Sequence, residues 1–237
     1  MIRLHVSEPG APGRTLDLSG EDWHYLSDVM RRRDGDIIEV LTDDGGVWES
    51  RIEGEGSVRL TRLVSQTAMP RRSIILFQAL LKGDHFGDAV ERSTEAGIFR
   101  FVPVVTARSI PRTVSDNKRA RWQHIAKEAS EQSRGGHVPI VDEPISLSDL
   151  VLPPRHQGFF LDPRAPFEAR WLESSTEPLA LVVGPEGGLT EGEQTELSHK
   201  GFEPLSLGPR VYRAENAGAF AAVLFLQDSR PTFGQHC

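Results

Sequence analysis

The chain has 237 residues, of which 38% are hydrophobic and 26% charged, with a formal net charge of −7. That length allows one large domain or a small plus a medium one, and the balance is ordinary for a folded water-soluble chain. It excludes a broadly basic nucleic-acid-binding surface, while leaving room for a local basic patch.

No apolar run approaches the roughly 18 residues of a membrane span, and the amino terminus lacks a signal-peptide core. The one cysteine, Cys237, gives no disulfide framework. A cytoplasmic protein without membrane association is expected. The histidines and Cys237 have no metal-ligand spacing, so no metal is expected either.

The first 70 residues read as a small β-barrel pattern with one helix. Ile2–Val6 is a strand, and a helix starts after Ser19 and runs to about Arg31. Strands follow at Ile37–Leu41, Val47–Ile52 and Ser57–Leu63, with Asp43-Asp44-Gly45-Gly46 as a hairpin-type turn. Gln66–Arg72 reads as a linker. From residue 73 the pattern changes to alternating strands and helices. Strands are expected at Ile74–Leu81, Phe101–Val105, Gly158–Leu161 and Leu179–Val183. Helices are expected at Asp84–Ala96, from Ser115 to about Ser133, at Glu191–Lys200 and at Ala214–Asp228. Alternation of this kind gives an α/β fold, a parallel sheet with helices on both faces. The domains are expected at 1–70 and 73–237.

The apolar run Leu181-Val182-Val183 stops at Gly184-Pro185-Glu186-Gly187-Gly188. Thr190 and Glu193 then have capping-box spacing. Strand, glycine loop and helix make a place where bare backbone N–H groups approach a ligand. The loop has no Gly-Lys-Ser/Thr and is not Gly-x-Gly-x-x-Gly, which argues against a nucleoside triphosphate or a standard dinucleotide. A second strand-to-loop transition lies at Leu205-Ser206-Leu207-Gly208-Pro209-Arg210-Val211-Tyr212-Arg213-Ala214-Glu215-Asn216-Ala217.

These two motifs combine with Lys82-Gly83-Asp84, Glu95-Ala96-Gly97, Thr106-Ala107-Arg108-Ser109 and the stretch from Arg121-Trp122 through Arg134 to Val138-Pro139. Over about residues 73–230 the set resembles the RsmE family of RNA methyltransferases, in the SPOUT superfamily. The first 70 residues fit that family's PUA-like barrel in size and pattern. The resemblance implies a trefoil-knotted parallel sheet and S-adenosyl-L-methionine as cofactor. It also implies a homodimer joined through the knot region. The implied reaction is methylation of N3 of a uridine in 16S ribosomal RNA, free or within the small subunit. Alternatives are a related knotted methyltransferase with another RNA target, and an RNA-binding relative without catalysis.

On that resemblance the cofactor site comprises Leu181, Val183, Gly184, Pro185, Glu186, Gly187 and Gly188 from the first motif. The second motif supplies Leu205, Leu207, Gly208, Val211, Tyr212, Arg213, Asn216 and Ala217. Arg213, Arg134 and Glu215 are the catalytic candidates, the arginines because positive charge stabilises a base that has lost its imide proton. Arg31, Arg32, Lys82, Arg108 and Arg134 are the RNA-facing candidates, although Arg31–Arg33 equally suits a solvated charge run. The chain departs from the family pattern at Asn216, where threonine is usual, and at Gly135 and His137, where arginines are usual.

Overall fold

The computed structural model describes residues 2–66, 72–133, 135–166 and 176–226. It divides the chain into two units: Met1–Met69 together with Lys127–Val138, and Pro70–Ala126 together with Pro139–Cys237.

The first unit holds β1 (Arg3–Val6), β2 (Thr15–Asp17), α1 (Gly20–His24), a π-helical turn over Tyr25–Val29, then β3 (Ile37–Thr42), β4 (Gly46–Glu53) and β5 (Ser57–Gln66). The strands form one curled sheet in the order β1-β3-β4-β5-β2, antiparallel except where β1 meets β3. Two register shifts in the β4–β5 pair bend the sheet, as bulges do. Leu4, Leu26, Ile38, Val40, Ile52, Val58 and Leu60 fill its inside. Ser19 caps α1 by accepting the Asp22 N–H. The helix expected as far as Arg31 changes character at Tyr25, and Arg31 itself takes a left-handed φ of 54°. Strand β2 went unforeseen because three residues carry no periodicity of their own.

Residues Lys127–Val138 complete this unit through polar contacts. The Glu131 carboxylate accepts the His5 N–H at 3.0 Å, and its carbonyl accepts from Arg3 at 3.2 Å. Lys127 pairs with Asp22. His5 is buried, with Nε2 3.0 Å from Asp43 Oδ1. Burial drives the His5 imidazole below its ordinary range, Asp43 pulls it back up, and Lys127 and His137 push it down again. The unfolded chain therefore takes up this proton first as pH falls. His5 contributes stability that is present above about pH 6.5 and lost below it. Burial raises the Glu131 carboxyl, which has the opposite slope. A His5→Gln variant separates the two: its thermal midpoint, measured from pH 7 to 5, is expected to fall less than that of the wild type. Parallel profiles would remove His5 from the acid response.

The second unit holds β6 (Ile74–Ala79), α2 (His85–Glu95), β7 (Arg100–Val105), α3 (Asp116–Ser133, whose last residues belong to the first unit), β8 (Ile140–Val141) and β9 (Ile145–Ser146). A single 3₁₀ turn, β10 (Gln157–Leu161), β11 (Leu179–Val183), α4 (Glu191–His199), β12 (Phe202–Leu205) and α5 (Ala214–Leu226) follow. All strand pairs are parallel, in the order β12-β10-β11-β6-β7-β8, with β9 also on β7. Strand β11 is buried at every residue, as a strand covered on both faces must be. Leu179, Leu181 and Val183 face α2 and α5, with Phe86, Ala89, Ala217 and Ala221. Ala180 and Val182 face the other layer, with Leu189, Leu197 and Phe202. The expected α/β sheet with helices on both faces is thus observed.

Strand β12 begins earlier than expected, because Glu203 and Pro204 interrupt its apolar pattern. Its place at the sheet edge tolerates a proline, which has no N–H to give. From that edge the chain doubles back past the ends of β10 and β11, and α5 packs on α2, β11 and β6. No helix among the described residues is long and apolar enough to cross a membrane.

Candidate active site

In a parallel α/β sheet the carboxyl ends of the strands carry the loops that build ligand sites. Here the loops after β6, β7, β10, β11 and β12 surround a cleft of about 920 Å³. Its floor and walls are Leu161, Val183, Leu205, Leu207, Tyr212 and Ala217, and Lys82, Arg108, Arg210 and Arg213 bring positive charge to it.

The first glycine loop has a definite shape. The Gly188 N–H donates to the Pro185 carbonyl at 2.8 Å, closing a turn in which Gly188 has a φ of +69°. A side chain at Gly188 would be strained. At Gly184 a Cβ would come within 3.1 Å of the Leu189 backbone nitrogen. The loop then enters α4 through the expected capping box: Thr190 accepts the Glu193 N–H at 3.2 Å, and Glu193 Oε2 accepts the Thr190 N–H at 2.8 Å. The other Glu193 oxygen accepts the Ala107 N–H at 2.7 Å. On the far side of the loop the Glu186 carboxylate accepts the Lys82 backbone N–H at 3.0 Å.

The second loop turns at Ser206, whose hydroxyl accepts the Gly208 N–H at 3.2 Å and donates to its carbonyl at 3.1 Å. Gly208 has a φ of +104°. The Arg213 carbonyl accepts the N–H groups of Asn216 and Ala217, starting α5. Tyr212 packs on Phe220 with ring centroids 4.7 Å apart. The Arg213 side chain is 83% exposed and 4.0 Å from the buried Glu215 carboxylate. Glu215 sits in the first turn of α5, where the helix dipole favours a negative charge.

Most of the residues expected at the cofactor site line this cleft: Val183 through Gly188, Leu205, Leu207, Val211, Tyr212, Arg213 and Ala217, with Glu215 beside them. Lys82 and Arg108 line it too. Three expected residues do not. Leu181 lies buried in the middle of β11, two residues short of the strand end. Gly208 shapes the second loop. Asn216 turns to α2 and accepts a hydrogen bond from Arg92. Arg31 and Arg32 belong to the first unit, with Arg32 4.0 Å from Asp36, and Arg134 lies outside the described residues.

Asp162 and Pro163 were not foreseen in the cleft. The signal for them was Phe159-Phe160-Leu161 ending at Asp-Pro, a third apolar run stopped at a strand's carboxyl end. Burial pushes the Asp162 carboxyl up, but hydrogen bonds from the Arg164 side chain and backbone N–H outweigh it, and the group sits below its ordinary range. His85, Ile110, Leu189, Arg210 and Ala214 also line the cleft. His85 reaches it from the start of α2 and Ile110 from the loop after β7, segments that no local motif links to the glycine loops. Among the described residues no group of three or more His, Cys, Asp or Glu converges as metal ligands would.

Known proteins resemble this chain over most of its length. The model of the RNA methyltransferase domain matches residues 68–226, and that of the RNA methyltransferase PUA domain matches residues 18–61. A Synechocystis protein named ribosomal RNA small subunit methyltransferase E is 34% identical over 228 residues, covering 92% of this chain and 75% of the relative. The chain belongs to that family. A Bacillus subtilis family member of the same name is 31% identical, covering 87% of this chain and 88% of its own. A Neisseria gonorrhoeae family member, solved bound to S-adenosyl methionine, superposes with a TM-score of 0.82 at 25% identity, covering 94% of this chain and 95% of that one. A Legionella pneumophila protein solved in complex with the bound cofactor SAM gives 0.81 at 28% identity, covering 94% and 96%.

Proposed function

We propose that this chain transfers a methyl group from S-adenosyl-L-methionine to N3 of a uridine in 16S ribosomal RNA. The observation that carries the reading is the meeting of the Gly184–Gly188 and Leu205–Ala217 motifs around one apolar cleft with arginines at its mouth. The cofactor fits the residues present. The volume is in the range of small-molecule pockets, the walls are aliphatic, and the two strand ends offer backbone groups rather than a phosphate loop.

Val183, Gly184 and Leu205 to Leu207 would hold the adenine by backbone polar groups and aliphatic contact, and Gly188, with open space where a side chain would stand, lets it lie against the main chain. When bound, the sulfonium supplies an electrophilic methyl group. The protein's own work is then to orient the uridine and to favour loss of its imide proton. Arg213 supplies positive charge toward that anion, and Glu215 beneath it steadies the guanidinium. The Glu186 carboxylate accepts the Lys82 N–H and so ties the glycine loop to the loop after β6. Arg134 and the basic residues of the first unit serve RNA binding.

The substrate is 16S RNA or the small subunit, and the site of action is the cytoplasm. The partner is a second copy of the chain, joined through the α5 region, where Phe220 and Val223 remain exposed.

The deciding experiment incubates the purified chain with S-adenosylmethionine and small subunits that lack the mark, then maps methylated nucleosides by mass spectrometry. The expected product is 3-methyluridine in 16S RNA. Cofactor binding with methylation at another position would point to a different RNA target. No cofactor binding at millimolar concentration would point to a relative without catalysis.

A further inference from the structure

Arg108 lines the cleft, and a basic residue there suits RNA, as expected from the sequence. Its geometry points elsewhere. Its guanidinium donates to the Gly187 carbonyl at 2.6 Å. A Cβ on Gly187 would lie 3.2 Å from Arg108 Cδ and 3.7 Å from its Cβ, so the arginine stem lies flat against the bare glycine. The Gly188 N–H, on the same peptide as the Gly187 carbonyl, donates to Pro185. Both polar ends of that peptide are therefore held.

The base from which Arg108 reaches is itself rigid. Thr106 and Ser109 are buried and close a turn: the Thr106 N–H donates to the Ser109 hydroxyl at 3.1 Å, and the two hydroxyls lie 2.9 Å apart. The Ala107 N–H is held by Glu193, and its carbonyl accepts from Arg112 at 3.1 Å. One carboxylate, Glu193, thus ties the loop after β7 to the cap of α4 just beyond the glycine loop.

We infer that Arg108 is a positioning residue. It latches the Gly187–Gly188 peptide and so pre-forms the glycine loop that takes the adenosyl ligand; it is not primarily an RNA ligand. This rests on the proposed cofactor site. Holding a loop in its bound form spares the ligand the cost of ordering it.

The test is calorimetry with S-adenosylmethionine on the wild type, Arg108→Ala, Arg108→Lys, Gly187→Ala and the Arg108→Ala/Gly187→Ala double variant. Filter binding to a 16S RNA fragment and thermal melts accompany it. Absence of binding by the wild type would refute the cofactor site itself. With wild-type binding in hand, Arg108→Ala is expected to weaken the cofactor about tenfold or more, as loss of a charged hydrogen bond does. Arg108→Lys, which keeps a donor, is expected to recover part of that loss. RNA affinity is expected to stay within about twofold, since one lost phosphate contact would change it more.

Gly187→Ala carries the sharper arm. Its Cβ displaces the Arg108 stem, so it is expected to weaken binding when Arg108 is present and to add little in Arg108→Ala. Equal costs in both backgrounds would mean that the methyl strikes the ligand, and would overturn the latch. So would unchanged cofactor affinity with lowered RNA affinity in Arg108→Ala. If Arg108→Ala does not fold, the outcome rests on Arg108→Lys and Arg108→Lys/Gly187→Ala: near-wild-type binding with lysine, and a smaller cost of Gly187→Ala beside lysine than beside arginine, support the latch, and equal costs refute it.

Discussion

Arg213→Ala is expected to lower methyl transfer by at least about a hundredfold, the effect of removing one preorganised charge aimed at a developing anion. Folding should hardly notice. The Arg213 side chain is 83% exposed, and its ion pair with Glu215 stands at 4.0 Å. Exposed pairs at that range contribute little. What the chain needs from residue 213 is its carbonyl, which accepts the first N–H groups of α5, and alanine keeps it. The thermal midpoint should stay within about 2 °C of the wild type. Single-turnover assays with saturating RNA and cofactor separate chemistry from binding. A rate within a few fold of wild type would remove Arg213 from the chemistry.

Gly218→Val is expected to destabilise the chain by about 3 kcal/mol, the upper end of overpacking costs. Gly218 lies where α5 crosses β6 and α2. A Cβ there would sit 2.7 Å from Leu76 Cδ2 and 3.1 Å from Ser93 Oγ, and both residues are fully buried. Alanine brings one such clash but gains about 1 kcal/mol of helix propensity, so its net effect is smaller. Valine adds two branches and has nowhere to put them. The helix must tilt, and its first turn supplies Ala214 and Ala217 to the cleft, so cofactor affinity should fall together with stability. Urea denaturation with an unchanged m-value checks the first effect and calorimetry the second. A loss below about 0.5 kcal/mol would mean that the helix-to-sheet packing is slack.

What could be read in advance was whatever local sequence dictates. The run from Leu179 to Glu193 is strand, glycine turn and capped helix in immediate succession, and each step has its own residues. The alternation beyond residue 73 likewise announced a parallel sheet, and the motifs announced the family to which the chain belongs. Less was legible where distant segments decide. Asp162 joins the cleft because β10 lies beside β11 and β12, an order no local pattern states. Asn216 leaves the cleft because Arg92, far away in sequence, takes its side chain. Strand β12 was half-hidden because an edge position relaxes the rule that its proline seemed to break.

The last two turns of α3 carry a different consequence. Arg3, His5 and Asp22 find their partners Glu131 and Lys127 more than a hundred positions downstream. The amino-terminal module is therefore not a contiguous cassette. A recombination that exchanged only the first 70 codons between relatives would leave behind the carboxylate and the ammonium that complete it. Exchange between lineages succeeds only if two separated stretches travel together or were already matched, so the long helix acts as a barrier to shuffling.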